Sequence, residues 1–277
     1  MVQSQTAQPP LALQDMEVMI LAGGLGTRLR EETDIRPKPM VEINGRPILW
    51  HIMKLYSRFG IKNFVVCLGY KGDVIRDYFL NYVHHQSDIA VDLGSHSVEV
   101  LARGNEENWR VVLADTGRDS NTGARLKIAS KYLKNDVCMA TYGDGVCDVD
   151  IAKLYDAHND AGRDVTVTAV HPEARFGEIE IDGNAITEFV EKPQTGSGWI
   201  NGGFLVFNKK VFAEMPDKPA LSLEQEVLTG LASQGRLSAF QHNGFWQCVD
   251  TYREMLLLNE MCARGHIPWL GQYAPDA

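Results

Sequence analysis

Apolar residues fall in short unbroken runs parted by turns, with helical stripes between them. Val18 to Leu21, Phe64 to Leu68 and Val111 to Leu113 are runs of three to five, the length of buried strands, and Val137 to Tyr142 and 165–170 read as two further strands. Pro47 opens a helix whose apolar positions Ile48, Leu49, Ile52, Met53, Tyr56 and Phe59 recur at helical spacing until Gly60 stops it. On that helix Trp50, His51 and Tyr56 read as packing residues. Asp73 is placed to cap a short helix through Phe79. Thr122 starts another, with Leu126, Ala129, Tyr132 and Leu133 facing inward, and a further helix covers 150–160. Strand, helix, strand in alternation implies parallel pairing. Residues 86–108 read as a surface excursion with short strands around Ala90 and Val98.

The pattern changes after Pro172. Gly177 to Asp182 and Ala185 to Glu191 alternate across the turn Gly183-Asn184 like an antiparallel hairpin. Gly202-Gly203 precede the run Phe204 to Phe207. Ser222 with Gln225 reads as a capping box before a helix to about Gln234. Leu237 to His242 is strand-like, and Thr251 to Arg264 reads as a helix ended by Gly265. There is no internal repeat. The expected fold is α/β: a Rossmann-like mixed, mainly parallel sheet flanked by helices, with a smaller antiparallel subregion. Residues 1–15 read as a disordered extension and 16–277 as a single domain in two parts, about 16–170 and about 171–277.

A chain of 277 residues, 44% hydrophobic, can bury one large core or two unequal lobes. No apolar stretch approaches the roughly 20 residues that cross a bilayer, and no basic-then-apolar leader opens the chain. The five cysteines are scattered without a C-x-x-C, which gives no zinc signature and makes reducing cytoplasm the expected location. A net charge of -9 argues against a nucleic-acid polymer as partner.

Against that charge, Arg28, Arg30, Arg36 and Lys38 fall within 11 residues and need a local anion. They follow a turn holding Gly23, Gly24 and Gly26 at the end of the first strand. Amides of a glycine turn with fixed cations beyond it form a phosphate cradle. The loop has neither the Rossmann G-x-G-x-x-G nor the Walker G-x-x-x-x-G-K-[ST] spacing. Three more loops, 69–72, 122–125 and 143–145, follow strands or open a helix at the same end of the expected sheet, where open α/β sheets bind ligands. Asp144 sits between two glycines, and Asp250 lies 106 residues on. Each is open to a bland job, a turn aspartate and a helix N-cap respectively, while together they would suit a hard cation. Two carboxylates converging without a cation would repel each other. Asp148 and Asp150 are expected to cap. Lys192, in Glu191-Lys192-Pro193, is open to being solvated.

Leu21-Ala22-Gly23-Gly24-Leu25-Gly26-Thr27-Arg28-Leu29 with Pro37-Lys38-Pro39 resembles the sugar-phosphate nucleotidyltransferases. Met40-Val41-Glu42-Ile43 and the stretch Ile48 to Met53 look most like the branch that uses CTP and glucose 1-phosphate. The likeness runs from about Glu17 to about Trp269. It implies nucleotide binding through Leu21, Ala22, Gly23, Gly24, Gly26 and Thr27, with Arg28 and Lys38 on the phosphates and Gly69, Thr122, Gly123 and Arg125 completing the pocket. It gives the sugar phosphate to Gly143, Glu191, Lys192 and Asn201, and Mg²⁺ to Asp144 and Asp250. Arg28, Lys38, Asp144 and Asp250 would then be the catalytic set, 16–170 the nucleotide part and 171–277 the sugar-phosphate part. The implied reaction makes CDP-glucose and pyrophosphate for surface polysaccharide, in a cytoplasmic homo-oligomer. Alternatives are the same chemistry with UTP, dTTP or another sugar 1-phosphate, and a binder without turnover. The family's Thr-Gly-Gly-Arg reads Thr122-Gly123-Ala124-Arg125 here, and its Pro-Met reads Cys248-Val249.

Overall fold

The computed structural model describes residues 10–26, 29–102, 107–172, 178–182, 185–190 and 198–271. An eight-stranded sheet runs through it: β1 (Glu17–Leu21), β2 (Asn63–Leu68), β3 (Arg110–Asp115), β4 (Val137–Tyr142), β5 (Val165–Val170), β6 (Ile200–Asn201), β7 (Leu205–Asn208) and β8 (Leu237–His242). Across the sheet the order is β8, β5, then β6 and β7 in line, then β4, β1, β2 and β3. β1 pairs in parallel with β2 and β4, β2 with β3, and β5 with β8. β6 and β7 run opposite to the strands beside them. The sheet is mixed and mainly parallel, as the runs predicted.

Side chains of β1 alternate between two cores. Val18 and Ile20 join Ile48, Met53 and Trp269 on one face, and Met19 joins Leu126, Phe207 and Leu223 on the other. A sheet covered on both faces takes apolar residues at most positions, which is why its central strands read as near-continuous runs. Helix α1 (Ile48–Ser57) is buried at eight of its ten positions and lies inside the first core. Helices α2 (Gly72–Leu80), α3 (Thr122–Ala129), α4 (Ile151–Ala161) and α5 (Tyr252–Ala263) complete the flanks. At the end of the chain Trp269 is fully buried and donates its indole N–H to His51 Nδ1 at 3.1 Å, while His51 Nε2 meets the Ile43 carbonyl at 2.8 Å. Burial pushes His51 down to about 4, against a smaller upward pull from that carbonyl.

Local details differ from the expectation in four places. Tyr132 is exposed, because α3 ends at Ala129 and the tighter 3-10 turn Ser130–Tyr132 changes the angular step. Asp73 does not cap α2; Lys71 holds that position in the left-handed region, φ 49°, and Asp73 pairs with Arg76 at 3.1 Å. Residues 10–15 are docked: the Leu11 amide donates to the Tyr155 hydroxyl at 3.0 Å, and Leu11 and Leu13 pack against the core, so the loose extension does not reach residue 15. Ser222 caps as expected, accepting from the Gln225 amide at 3.1 Å, but the segment it starts is a π-helix over Leu223–Leu228 that becomes α-helical only at Thr229–Ser233.

Among the described residues three hairpins lie outside the sheet, the shortest pairing Glu42–Ile43 with Arg46–Pro47. Glu178–Asp182 pairs antiparallel with Ala185–Val190, as read from the alternation. Asp88–Asp92 pairs with Ser97–Ala102, and Val91, Leu93, Val98 and Leu101 on it are exposed.

Candidate active site

The loops after β1, β2, β3 and β4 gather at the carboxyl ends of the parallel strands. A cleft of about 250 Å³ opens there. Leu21, Ala22, Gly23, Gly24 and Gly26 line one side of it, Thr122 and Arg125 another, and Lys38, Gly143 and Asp144 a third. Ten of the expected residues therefore share one cavity. Thr27, Arg28, Glu191 and Lys192 lie outside the described residues.

The glycines have different reasons to be glycine. A Cβ on Gly24 would meet nothing within 4 Å, so that position faces open space. Gly26 has φ +63°, a left-handed backbone that favours glycine. Among the described residues, the amides of Gly24, Leu25 and Gly26 have no backbone acceptor, as an anion cradle requires. Gly23 and Gly69 are another matter: a Cβ on either would lie 2.3 Å from Nη1 of Arg125.

Arg125 is the main departure from the expected site. It is buried, and Nη1 donates to the Leu68 carbonyl (3.0 Å), Thr116 Oγ1 (2.9 Å) and the Gly117 carbonyl (2.7 Å). Nη2 donates to the carbonyls of Gly23 (2.9 Å) and Arg118 (3.0 Å). The planar fork thus ties the loops after β1, β2 and β3 together. The donors of both Nη groups are spent on the protein, which makes Arg125 a clamp beneath the pocket that it also lines. Gly69 lines a neighbouring cleft of about 410 Å³ over Lys71, Arg76 and Arg118. Gly123 is buried against Leu221 and Leu223, its amide donating to the Leu221 carbonyl at 3.0 Å.

Asp144 and Asp250 meet. Strand residues Gly145–Cys147 pair antiparallel with Trp246–Cys248, and the Val249 amide donates to the Asp144 carbonyl at 2.8 Å, so the backbone itself brings the two aspartates together. Thr251, not Asp250, caps α5 in a full capping box with Glu254, which leaves the Asp250 carboxylate for the cleft. Lys38, held in a 3-10 turn between Pro37 and Pro39, lies between the two. Its Nζ is 2.7 Å from Asp144 Oδ2 and 2.5 Å from Asp250 Oδ1. Burial alone would lower the Lys38 pKa, but the charge of Asp144 and the hydrogen bonds to both carboxylates carry it above its ordinary value. Two hard oxygen donors aimed at one point, with room for phosphate beside them, are a donor set that fits Mg²⁺. Asp150 caps α4 as expected, while Asp148 instead pairs with His242 at 2.8 Å.

Asn201, expected at the sugar phosphate, closes a chain of polar contacts that the sequence did not announce. Its Nδ2 donates to the Tyr142 hydroxyl at 3.1 Å, and that hydroxyl donates to Glu224 Oε1 at 2.7 Å. Glu224 Oε2 accepts from Thr122 Oγ1 at 2.8 Å and Ser222 Oγ at 3.0 Å. One carboxylate therefore joins the residue expected at the sugar to a residue expected at the nucleotide. Gly203 (φ +77°) and Phe204 (φ 48°) turn the chain from β6 into β7, and the Gly203 amide fixes Asn201 Oδ1 at 2.9 Å. Phe204 bears a left-handed backbone, a cost of about 1–2 kcal/mol that its buried ring against Tyr56 offsets.

A mainly parallel sheet with a glycine cradle, a lysine and two converging aspartates at its carboxyl edge defines an enzyme of nucleotide phosphate chemistry. The chain belongs to the nucleotidyl transferase family, whose model matches residues 17–262. It is 49% identical over 255 residues to a glucose-1-phosphate cytidylyltransferase of Salmonella typhi, covering 92% of this chain and 98% of that one. A mannose-1-phosphate guanyltransferase of Aspergillus fumigatus is 30% identical over 251 residues, 87% of this chain and 62% of that one. Among solved structures, HddC of Yersinia pseudotuberculosis in complex with GMP-PN matches with a TM-score of 0.65 and 26% identity, over 89% of this chain and 99% of that one. A divalent metal ion is general in the family.

Proposed function

We propose that the protein is a glucose-1-phosphate cytidylyltransferase, converting CTP and α-D-glucose 1-phosphate into CDP-glucose and pyrophosphate. The observation that carries the substrate pair is 49% identity to the Salmonella typhi enzyme along nearly the whole of both chains. The chemistry rests on the cleft. A phosphate oxygen of the sugar attacks the α-phosphorus of CTP in line; the bond to the β-phosphate breaks, and pyrophosphate leaves with its electron pair. No general base is needed, because a phosphate monoester with a second pKa of about 6 is already ionised. The work is alignment and charge neutralisation.

The residues divide that work. The amides of 24–26 hold the triphosphate, and Lys38 supplies a cation at the α-phosphate. Asp144 and Asp250 would hold Mg²⁺, which when bound supplies further neutralisation of the phosphates. Asn201, aligned by Tyr142 and Glu224, positions the sugar. The resemblance gives Arg28 the departing pyrophosphate and Glu191 with Lys192 the glucose 1-phosphate. Among the described residues no helix is long and apolar enough to cross a membrane, and all five cysteines are free thiols, as a cytoplasmic location leaves them. A lone two-stranded hairpin is marginal in water, so the exposed apolar residues of 88–102 support a homo-oligomer built on that hairpin.

Mixing the protein with Mg²⁺, each of CTP, UTP, dTTP and GTP, and several sugar 1-phosphates tests the reading by pyrophosphate release. CTP with glucose 1-phosphate should be fastest. Faster release with another pair would reassign the substrates, and tight binding without any release would make the protein a binder. Sedimentation of Leu93→Ser beside the wild type tests the oligomer.

A further inference from the structure

Lys38 occupies the place where the two aspartates converge. The carboxylates do not need it to meet, since the pairing of 145–147 with 246–248 and the Val249 amide fix them through the backbone. What Lys38 adds is charge: a single Nζ, its side chain 11% exposed, in contact with one oxygen from each. A cation shared by those same two oxygens must take the same volume, and an ammonium and a dication a few ångströms apart repel each other. The two cannot both be seated.

We propose that Lys38 is the resident counter-ion of the metal-free site, and that a divalent ion enters only by displacing it. This rests on the assignment of Asp144 and Asp250 as the metal pair. The Lys38 stem is rooted beside Gly26, where a Cβ would lie 3.2 Å from Lys38 Cβ, so an ammonium released from the aspartates swings on a stem anchored at the glycine loop. The phosphates held by that loop give it a new anion. Metal and nucleotide therefore help each other bind: the metal frees the lysine, and the nucleotide receives it. Binding free energies linked in this way are reciprocal. The free protein should bind a divalent ion weakly although its two ligands are already assembled.

The probe is Mn²⁺ alone, which takes oxygen ligands, titrated into nucleotide-free protein and followed by the electron paramagnetic resonance signal of the unbound ion. Lys38→Met and Lys38→Gln remove the charge and should tighten Mn²⁺ binding about tenfold or more, within the range of ordinary site couplings. Lys38→Arg keeps a cation and should stay near the wild type. Asp144→Asn and Asp250→Asn should lose binding. If neither Lys38→Met nor Lys38→Gln binds Mn²⁺ more tightly while the aspartate variants lose it, the metal pair stands and the displacement is refuted. If the aspartate variants bind as well as the wild type, the metal assignment itself falls and takes the displacement with it.

Discussion

Replacing Arg125 with leucine separates two jobs that one arginine could have. As a hand for the nucleotide, its loss would weaken CTP binding and leave the fold alone. As the clamp described above, its loss strikes the fold first. Three of its five acceptors are in buried contacts: the Leu68 carbonyl, Thr116 Oγ1 and the Gly23 carbonyl. A buried acceptor left without a donor costs about 1–3 kcal/mol, and water entering the vacated space recovers part of it. The expected loss is about 3–5 kcal/mol, against at most about 0.5 for an ordinary surface arginine. Arg125→Lys should recover little, since one ammonium cannot span three loops. Gly23→Ala should also destabilise, because its methyl would sit 2.3 Å from a guanidinium pinned by five contacts, whereas Gly24→Ala meets open space and should not. Urea unfolding followed by tryptophan fluorescence gives the stabilities, and calorimetric CTP titration of the folded variants gives the affinities. A stability loss under about 1 kcal/mol for Arg125→Leu, with CTP affinity abolished, would refute the clamp.

Three further outcomes follow from other contacts. His51 has its pKa depressed to about 4, so the unfolded chain takes up its proton first as pH falls; the stability is fully present above about 6.5 and declines toward pH 4 by up to about 3 kcal/mol. His51→Gln should flatten that slope in urea melts across this pH window, and an unchanged slope would place its origin elsewhere. Asp250→Asn should lower the stability of the metal-free protein by about 1–2 kcal/mol, because Lys38 loses one charged partner; a more stable variant in thermal melts would mean that carboxylate repulsion dominates after all. Tyr142→Phe removes the hydroxyl between Glu224 and Asn201 and should raise KM for glucose 1-phosphate about five- to tenfold with a smaller change for CTP, and equal changes in both would dissociate Asn201 from the sugar.

The sheet was legible in the sequence because burial on both faces leaves mostly apolar residues to read, with Thr141, Thr166 and Thr168 as buried exceptions. The turn was legible because Gly26 carries its conformational demand locally, in a left-handed backbone. The role of Arg125 was not, since its acceptors come from segments up to 102 residues away, and its place in Thr122-Gly123-Ala124-Arg125 suggests a nucleotide contact by resemblance. The aspartate pair was readable as two strand-end carboxylates, but the ammonium between them depends on contacts spanning 106 and 212 residues. That contact replaces the expected repulsion with an internal ion pair. Glu224 was hidden for a different reason: in sequence it is one acid among several in a surface helix. Thr251 sits one residue past Asp250, and only the structure decides which of them caps.

The π-helical segment Leu223–Leu228 holds more chain than an α-helical stretch of the same span would, and Glu224 lies in its first turn. Shortening the segment by one residue at the exposed Gln225 would let it wind as ordinary α-helix, relieving a conformation that proteins use sparingly. Either the first turn or the helix after it must then rotate by one residue, about 100°. The deletion would leave the apolar anchors Leu228 and Leu231 in place and swing the carboxylate away from Tyr142 and Thr122. Loss of a single residue would thus yield a more regular helix without the carboxylate that links Asn201, through Tyr142, to Thr122, so the irregular segment holds that network at the expense of local regularity.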